Sequence, residues 1–274
     1  MMSFATRRWI GRSIVVLCSA AAVAGYFHFQ PRVPRLVFLT GWILFGLMLL
    51  LTAYNARKKL PFLPLLSSQT WLDFHVYAGW VTAVLFCIHL NFRIPTGWFE
   101  SVLAALFLLV TLSGIAGLVL SRTIPKRLTL RGGEVLFERI PSVRLRLQNE
   151  AEALAHKIVP DTKSTIVAEF YAQHLHGFFS GRRNFWPHMV ESRRPLNTLL
   201  AQIDDLNRYL GEKEREALGK ISKLVHQKDG LDYHEALQWI LKSWLFIHIP
   251  LTYSLLIFTF VHIVLVFAFS GGAP

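Results

Sequence analysis

The sequence predicts an all-α integral membrane protein with five transmembrane helices and a helical extramembrane insert. Hydrophobic residues make up 53% of the 274 positions, and the mean hydropathy is +0.40, more than one soluble core requires. Five stretches are apolar and long enough to cross about 30 Å of hydrocarbon, which takes about 20 helical residues. They are Trp9–Phe29, Leu36–Tyr54, 71–92, 98–120 and 244–269.

The first of these stretches has two interpretations. Arg7 and Arg8 precede an apolar run that ends in small residues, which is also the pattern of a secretory signal. We favour an anchor helix in residues 1–30, because an uncleaved signal anchor behaves as an ordinary spanning helix. The other predicted regions are 31–121 with the second to fourth spans, the insert at 122–243, and 244–274 with the fifth span.

The distribution of charge predicts an orientation. The formal net charge is +12, but the basic residues lie at span ends and in the insert, so we expect no nucleic-acid partner. More of them flank the side before the first span than the opposite side: Arg7, Arg8, Arg12, Arg57, Lys58 and Lys59 against Arg32, Arg35 and Arg93. The positive-inside rule then predicts a cytoplasmic N-terminus and insert and an external C-terminus, in a bacterial inner membrane.

Residues 122–243 carry most of the remaining charge, which predicts a water-facing helical insert. Its 20 Lys and Arg against 15 Asp and Glu give a net charge of +5 (20 − 15), which favours anionic lipid or an acidic partner, or a plain solvated surface. Apolar residues recur every three to four positions at Ile203, Leu206 and Leu210, as in amphipathic helices. Breaks are expected at 131–133, 159–161 and 181–187.

Four histidines fall inside the predicted spans, where an ionisable side chain is costly and needs a reason. His75 and His89 lie on the third span, His248 and His262 lie on the fifth, and both pairs are 14 residues apart. Fourteen residues complete almost four helical turns, so each pair shares one face at heights about 21 Å apart. The two spans run in the same direction because one span separates them. We therefore expect His75 to face His248, and His89 to face His262.

Paired imidazoles at two heights predict two bis-histidine sites for haem iron. An iron with both axial positions filled has no open position, which favours electron transfer over oxygen chemistry. The alternatives are four unrelated packing histidines, or a metal transporter, which needs carboxylates or thiols at the same depth, where only Asp73 comes near. Cys18 and Cys87 have no CxxC partner, which excludes a c-type haem and a cysteine-ligated cluster.

Small and basic neighbours agree with a flat cofactor between the third and fifth spans. Gly79 lies one turn from His75 on the same face and leaves room for a ring. Arg93, one turn beyond His89, is a candidate partner for a propionate or an anchor at the lipid interface. Glycines on the flanking spans either make similar room or mediate ordinary helix packing. These are Gly41, Gly46, Gly114 and Gly117.

With these residues in place, the chain resembles the di-haem cytochrome b superfamily, which includes the cytochrome b and b6 subunits and the ferric reductase group. Spans two to five resemble its four-helix haem bundle, with His75 and His89 on one ligand helix and His248 and His262 on the other. The resemblance implies two b haems, and quinone or quinol as a redox partner in a respiratory chain.

Several features depart from that family. The sequence ends at Pro274 without flavin and nicotinamide domains, lacks the Pro-Glu-Trp-Tyr signature of quinol oxidation, and carries an unusual insert. We therefore expect electrons to pass through other redox subunits that dock on residues 122–243 or on the outer face. The alternatives are a self-contained reductase of an external metal or small oxidant, and a haem-free scaffold.

Two acidic residues near the predicted haem levels are candidates for proton handling. Asp73 precedes His75 by two residues, and Glu100 stands at the start of the fourth span. Either carboxylate would take a proton from quinol if it lies beside a pocket. An acid in the first turn of a helix is also stabilised by the helix dipole, which is the simpler interpretation.

Overall fold

The computed structural model describes residues 4–29, 36–59, 67–130 and 135–269, whose regular secondary structure is entirely helical. The chain divides into two compact units. Met1–Leu118 and Leu245–Pro274 form the first, here called the membrane unit, and Val119–Trp244 forms the second, the insert unit. Some sequence predictions lie outside the described residues: the break at 131–133, and the two basic residues Arg32 and Arg35.

The helices follow one another with short connections. In chain order they are α1 (Phe4–Phe29), α2 (Leu36–Lys59), α3 (Ser68–His89), α4 (Trp98–Leu130), α5 (Ile140–Thr162), α6 (Ile166–Phe170), α7 (His176–Ser180), α8 (Phe185–Met189), α9 (Arg194–Asn207) and α10 (Glu212–Phe269). A 3-10 turn at Phe137–Arg139 precedes α5, and a π-helical turn at Tyr171–Leu175 joins α6 to α7. Five of these helices, α1 to α4 and α10, are long and apolar enough to cross a membrane.

The boundaries of three spans differ from the prediction. The third helix ends at His89 instead of at residue 92, because Asn91 and Phe92 adopt left-handed backbone conformations with φ of 53° and 56°. The amide of Phe92 donates to the carbonyl of Cys87 at 2.9 Å, which closes the helix. The fourth and fifth spans, in contrast, continue as helix beyond 120 and before 244, to Leu130 and from Glu212.

Two predicted breaks in the insert are also corrected. The helix α5 continues through 159–161 to Thr162, with Pro160 in its last turn, and Lys163 follows it with a φ of 54° and an amide that donates to the carbonyl of Val159 at 2.9 Å. The break at 181–187 is shorter than expected. Pro187 lies in the first turn of α8, where a missing amide proton leaves no helical hydrogen bond unmade.

All five long helices contribute to one apolar core in the membrane unit. Its buried members are Tyr26, Leu44, Met48, Leu85, Phe86, Ile88, Ala104, Phe107 and Leu255. Many other large apolar side chains are exposed, including Trp80 on α3 and Phe260 on α10. An apolar exterior around an apolar core is typical of a helix bundle whose surroundings are lipid.

Side-chain contacts place four helices of the membrane unit in the cyclic order α2, α3, α4, α10. Thr40 on α2 contacts His89 on α3. The rings of Phe86 on α3 and Phe107 on α4 stack with centroids 3.8 Å apart. Two further ring contacts join α4 to α10 and α10 to α2: Phe99 with Phe258, and Trp42 with Phe267. The helices α3 and α10 therefore lie diagonally opposite each other.

The same contacts fix the directions of the helices. The beginning of α2 meets the end of α3 through Thr40 and His89, and its residue Trp42 meets the end of α10 through Phe267. The end of α2 meets the beginning of α3, because Tyr54 packs against His75. Both α3 and α10 thus run antiparallel to α2 and parallel to each other. The remaining helix, α1, packs on α3.

The insert unit is built around its own core and a buried ionic network. Ala151 and Ala155 of α5, Ile203 of α9 and Ile221 of α10 are among the buried apolar residues. On α10 almost every side chain of residues 228–237 is buried, although this stretch contains five charged or ionisable groups besides tyrosine. These groups are Lys228, Asp229, Asp232, His234 and Glu235.

Lys228 and Asp232 form the centre of the network and are fully buried as a pair. The Lys228 ammonium also donates to the carbonyl of Gly181 at 2.6 Å, and the amide of Arg183 donates to Asp232 at 3.1 Å. Burial raises the pKa of the Asp232 carboxyl to about 6, although Lys228 opposes this shift. The folded protein therefore binds this proton more tightly than the unfolded chain. The stabilising contribution of Asp232 falls as the pH rises from about 4 to about 6.

Removing one partner of this pair should destabilise the insert unit strongly. The change Asp232→Leu leaves the Lys228 ammonium buried without its counter-ion, and we expect a loss of about 3–5 kcal/mol in the free energy of unfolding. The double change Lys228→Met and Asp232→Leu should recover most of that loss. Urea unfolding of the full chain in mild detergent, followed by hydrogen exchange of the insert amides, measures both. As a matched control, Lys220→Met breaks the exposed pair with Glu216 and should change nothing measurable.

Candidate functional site

The four histidines of the membrane unit occupy two levels. Because α3 and α10 are parallel, their later histidines share one end of the unit and their earlier histidines share the other. We call His75 and His248 the first level, and His89 and His262 the second level. Within each helix, 14 residues separate the two levels by about 21 Å.

The second level has a defined imidazole orientation at His89. Its Nδ1 lies 3.3 Å from Thr40 Oγ1, and the Thr40 hydroxyl itself donates to the carbonyl of Val37 at 2.9 Å. Because that hydroxyl proton is already used, Nδ1 of His89 faces two acceptors, the Thr40 oxygen and the Val37 carbonyl, and this favours the tautomer with the ring proton on Nδ1. The lone pair of His89 is then on Nε2. This is the tautomer in which a metal-binding imidazole donates its other proton to a neighbour.

Gly41, the residue after Thr40, explains why the His89 ring can lie so close to α2. A Cβ atom at Gly41 would lie 3.1 Å from Cε1 of His89, which is tighter than nearly all real contacts. The hydrogen atom of glycine is therefore what allows the ring to lie against the helix. On the opposite helix, His262 stacks with Phe99 at a centroid distance of 6.4 Å and lies near enough to His89 to interact electrostatically.

The first level has a related arrangement on α4, with looser packing at the glycine. Ser113 Oγ lies 3.0 Å from Nδ1 of His248, and a Cβ atom at Gly114 would lie 3.8 Å from Cε1 of the same ring. A hydroxyl residue followed by glycine thus receives one histidine at each level. At the second level, Thr40 and Gly41 of α2 contact His89 of α3. At the first level, Ser113 and Gly114 of α4 contact His248 of α10.

The other histidine of the first level lies beside an aromatic ring and an open space. His75 packs against Tyr54 of α2, with ring centroids 5.1 Å apart and an angle of 37° between planes. One turn along α3, a Cβ atom at Gly79 would meet no heavy atom within 4 Å. The face of α3 that carries His75 therefore borders unfilled volume at Gly79.

A packed layer separates the two levels. Thr82 and Leu255 stand midway between the histidines of α3 and α10, and both are buried. The stacked rings of Phe86 and Phe107 lie in the same core. The Thr82 hydroxyl donates to the carbonyl of Ala78 at 2.7 Å, so the polar group in this layer is satisfied within its own helix.

The remaining candidate residues do not all join these levels. Gly46 is exposed and turned about 140° from Gly41 on α2, so it faces away from the site. Glu100 folds back over Gly97, the residue before α4, as acids in the first turn of a helix do. Asp73 is turned about 200° from His75 on α3 and so lies on another face. Arg93 is exposed in the turn after α3, where its amide donates to the carbonyl of Leu90.

Two residues of the site were missed in the sequence. Thr40 and Ser113 are hydroxyl residues within apolar stretches, each directly before one of the glycines already considered. The repeated pattern of hydroxyl residue and glycine, once on α2 and once on α4, is the signal that points to them. A hydroxyl alone within a span is uninformative, because it is commonly bonded to the carbonyl four residues earlier, as Thr52 is to Met48.

Within the described residues, no three His, Cys, Asp or Glu side chains gather as a metal site. A haem iron needs only two protein ligands, because the porphyrin supplies the others. No protein-family model, curated protein or solved structure matches the chain. The resemblance to the di-haem cytochrome b superfamily therefore stays a prediction, which rests on the residues of this chain.

The close approach of His89 to α2 can be tested with a matched pair of variants. Gly41→Leu should push the His89 ring away from Thr40 and remove the second-level haem that the sequence predicts, leaving about half of the bound haem. Gly46→Leu changes the same helix on a face without neighbours and should leave the haem content unchanged. Haem quantitation of the purified proteins measures both. Equal haem content in the two variants would contradict a role for Gly41.

Proposed function

We propose that this chain is a di-haem b-type cytochrome subunit that carries electrons across a membrane. It holds one haem b at each level, with His75 and His248 as axial ligands of the first and His89 and His262 as axial ligands of the second. A haem iron with two imidazole ligands exchanges single electrons without binding oxygen. Five helices are long and apolar enough to cross a membrane, and two of them, α3 and α10, are parallel and carry two histidines each. Both features support this proposal.

One observation carries the proposal: at each level, Nδ1 of a histidine lies within hydrogen-bond distance of a hydroxyl on a flanking helix. Thr40 and Ser113 occupy these positions for His89 and His248. An unrelated packing histidine would need no particular ring nitrogen for its partner. A ligand histidine needs Nε2 kept for the metal and Nδ1 held by a neighbouring group, which orients the ring and raises its basicity.

Glycines add a second line of support, since a flat macrocycle needs room beside its ligands. Gly41 lets the ring of His89 lie close against α2, and Gly114 stands beside the ring of His248 at ordinary van der Waals distance. Gly79 leaves open volume on the ligand face of α3. We propose that Gly79 borders the first-level haem and that Arg93, in the turn after His89, binds a propionate of the second-level haem.

The packing of the membrane unit suits the transfer of electrons between levels. The stacked rings of Phe86 and Phe107 belong to the same apolar core as Leu255, which stands midway between the two histidines of α10. Tight apolar packing would keep the two ligand pairs in place and limit the reorganisation that accompanies a change of charge.

The proposal extends to the surroundings of the protein. We place the N-terminus and the insert unit in the cytoplasm of a bacterium and the C-terminus outside its inner membrane, from the distribution of basic residues. Electrons would be exchanged with the quinone pool and with a separate redox subunit, docked on the insert or on the outer face. Reduction of the purified protein by a quinol analogue tests the first of these partners.

Single histidine variants test the ligand assignment. His75→Ala and His248→Ala should each abolish the same haem, and His89→Ala and His262→Ala should each abolish the other. The expected content is two haems per chain for the unchanged protein and one for each variant, measured by haem quantitation and by redox titration of the reduced-minus-oxidised spectrum. His226→Ala, an exposed histidine of α10 outside the span, is the matched control and should retain both haems.

Two results would contradict the assignment. A protein without visible absorbance would indicate a scaffold instead of a cytochrome. If His75→Ala and His262→Ala removed the same haem, the ligands would be crossed between levels and the parallel arrangement of α3 and α10 would be wrong.

The role of Thr40 gives an independent test. Thr40→Val keeps the shape of the side chain but removes the acceptor for Nδ1 of His89, so the imidazole becomes a weaker electron donor. We expect the midpoint potential of the second-level haem to rise and the affinity for that haem to fall about 10–100-fold. Thr52→Val, on the same helix with a backbone partner, should change neither quantity. A potential that does not move would show that Thr40 has no contact with a ligand.

A further inference from the structure

The insert unit exposes a surface at residues 182–194 that combines apolar and basic side chains. Trp186 and Val190 stand one turn apart, at α8 and its end, and are 71% and 77% exposed. Four exposed arginines flank them, against the single acid Glu191, which gives a net charge of +3 (4 − 1). These arginines are Arg182, Arg183, Arg193 and Arg194.

Contacts within the insert unit hold α8 beside the two long helices. Arg127 of α4 donates from Nη2 to the carbonyls of His188 and Met189, at 3.3 and 3.0 Å. The ring of Phe185 packs edge-on against Trp239 of α10, with centroids 5.3 Å apart. The short helix is therefore fixed to both α4 and α10.

These contacts lie close to the ends of the apolar spans. Arg122 and Lys242 are the charged residues that border the apolar stretches of α4 and α10. At 1.5 Å per residue, Arg127 lies about 8 Å beyond Arg122, and Trp239 lies about 5 Å before Lys242. The headgroup region of a bilayer is about 5–8 Å thick on each side. Measured along each helix, the residue that holds α8 therefore lies within about one headgroup thickness of the charged residue that borders the apolar stretch.

We propose that residues 182–194 form an interfacial anchor that binds the anionic surface of the membrane that the chain spans. Trp186 and Val190 enter the headgroup region, where tryptophan is favoured because its ring is apolar and its N–H is polar. Arg193 and Arg194 bind lipid phosphates, whereas Arg182 is paired with Glu235 at 2.9 Å and Arg183 donates to the carbonyl of Gly177 at 3.0 Å. Glu191, the one acid of the segment, is paired with Arg127 at 2.5 Å, so it does not oppose an anionic surface.

The charge and size of the surface favour lipid over a protein partner. The two exposed apolar side chains form a small patch, well below the area that a stable protein interface buries. Basic residues near a membrane surface are attracted to anionic lipid, and Arg193 and Arg194 follow the short helix α8 within five residues.

A site-directed spin label on the full chain tests the depth of this segment. In a background of Cys18→Ser and Cys87→Ala, the label is attached at Val190→Cys, or at Trp186→Cys as a second position. The control is Tyr209→Cys, which is 84% exposed elsewhere in the insert unit. In nanodiscs of phosphatidylglycerol and phosphatidylcholine, we expect the label at 190 or 186 to collide more with oxygen than with a water-soluble nickel chelate. The label at 209 should show the reverse.

Arginine variants test the dependence on anionic lipid. With the label at 190, Arg193→Gln and Arg194→Gln together should raise its accessibility to nickel several-fold, towards the value in pure phosphatidylcholine discs. Arg208→Gln, an exposed arginine on the next helix, should have no effect. The proposal is overturned if the labels at 190 and 209 are equally accessible to nickel in anionic discs. It is also overturned if the label is shielded from both reagents, which would indicate a protein contact.

Discussion

The interior of a membrane offers no water to a polar side chain, and this constraint accounts for the arrangement of the membrane unit. Each buried polar group there must find its partner within the protein. Thr82 bonds to its own helix, whereas Thr40 and Ser113 meet histidines of other helices. The contacts between helices are therefore polar at the histidine levels and apolar between them.

The two flanking helices, α2 and α4, each contact one histidine of a neighbouring helix. On α2 and on α4, a hydroxyl residue and the glycine that follows it stand beside an imidazole of α3 or α10. Each hydroxyl lies within hydrogen-bond distance of Nδ1 of its histidine, and Gly41 allows the His89 ring to lie close against α2. Side chains of the protein itself therefore orient these two rings.

Much of the membrane unit could be predicted from the sequence, because span length and apolar composition are local properties. Five apolar helices follow from them, and so does the shared face of His75 and His89. The end of α3 at His89 could not be predicted, because it depends on the left-handed conformations of Asn91 and Phe92. Thr40 and Ser113 were also missed, since their partners are distant in the chain. The haems themselves stay a prediction from the spacing of four histidines.

The layer of Phe86, Phe107, Thr82 and Leu255 has a consequence for the bilayer as an insulator. A protein with polar groups near both faces of a membrane risks a continuous file of water molecules that would leak protons and dissipate the ion gradient. In the described residues of this layer, the aromatic rings are stacked and the Thr82 hydroxyl is bonded to its own helix, an arrangement that opposes such a file. Polar groups at two depths of the unit are thus separated by side chains that offer water little to bind.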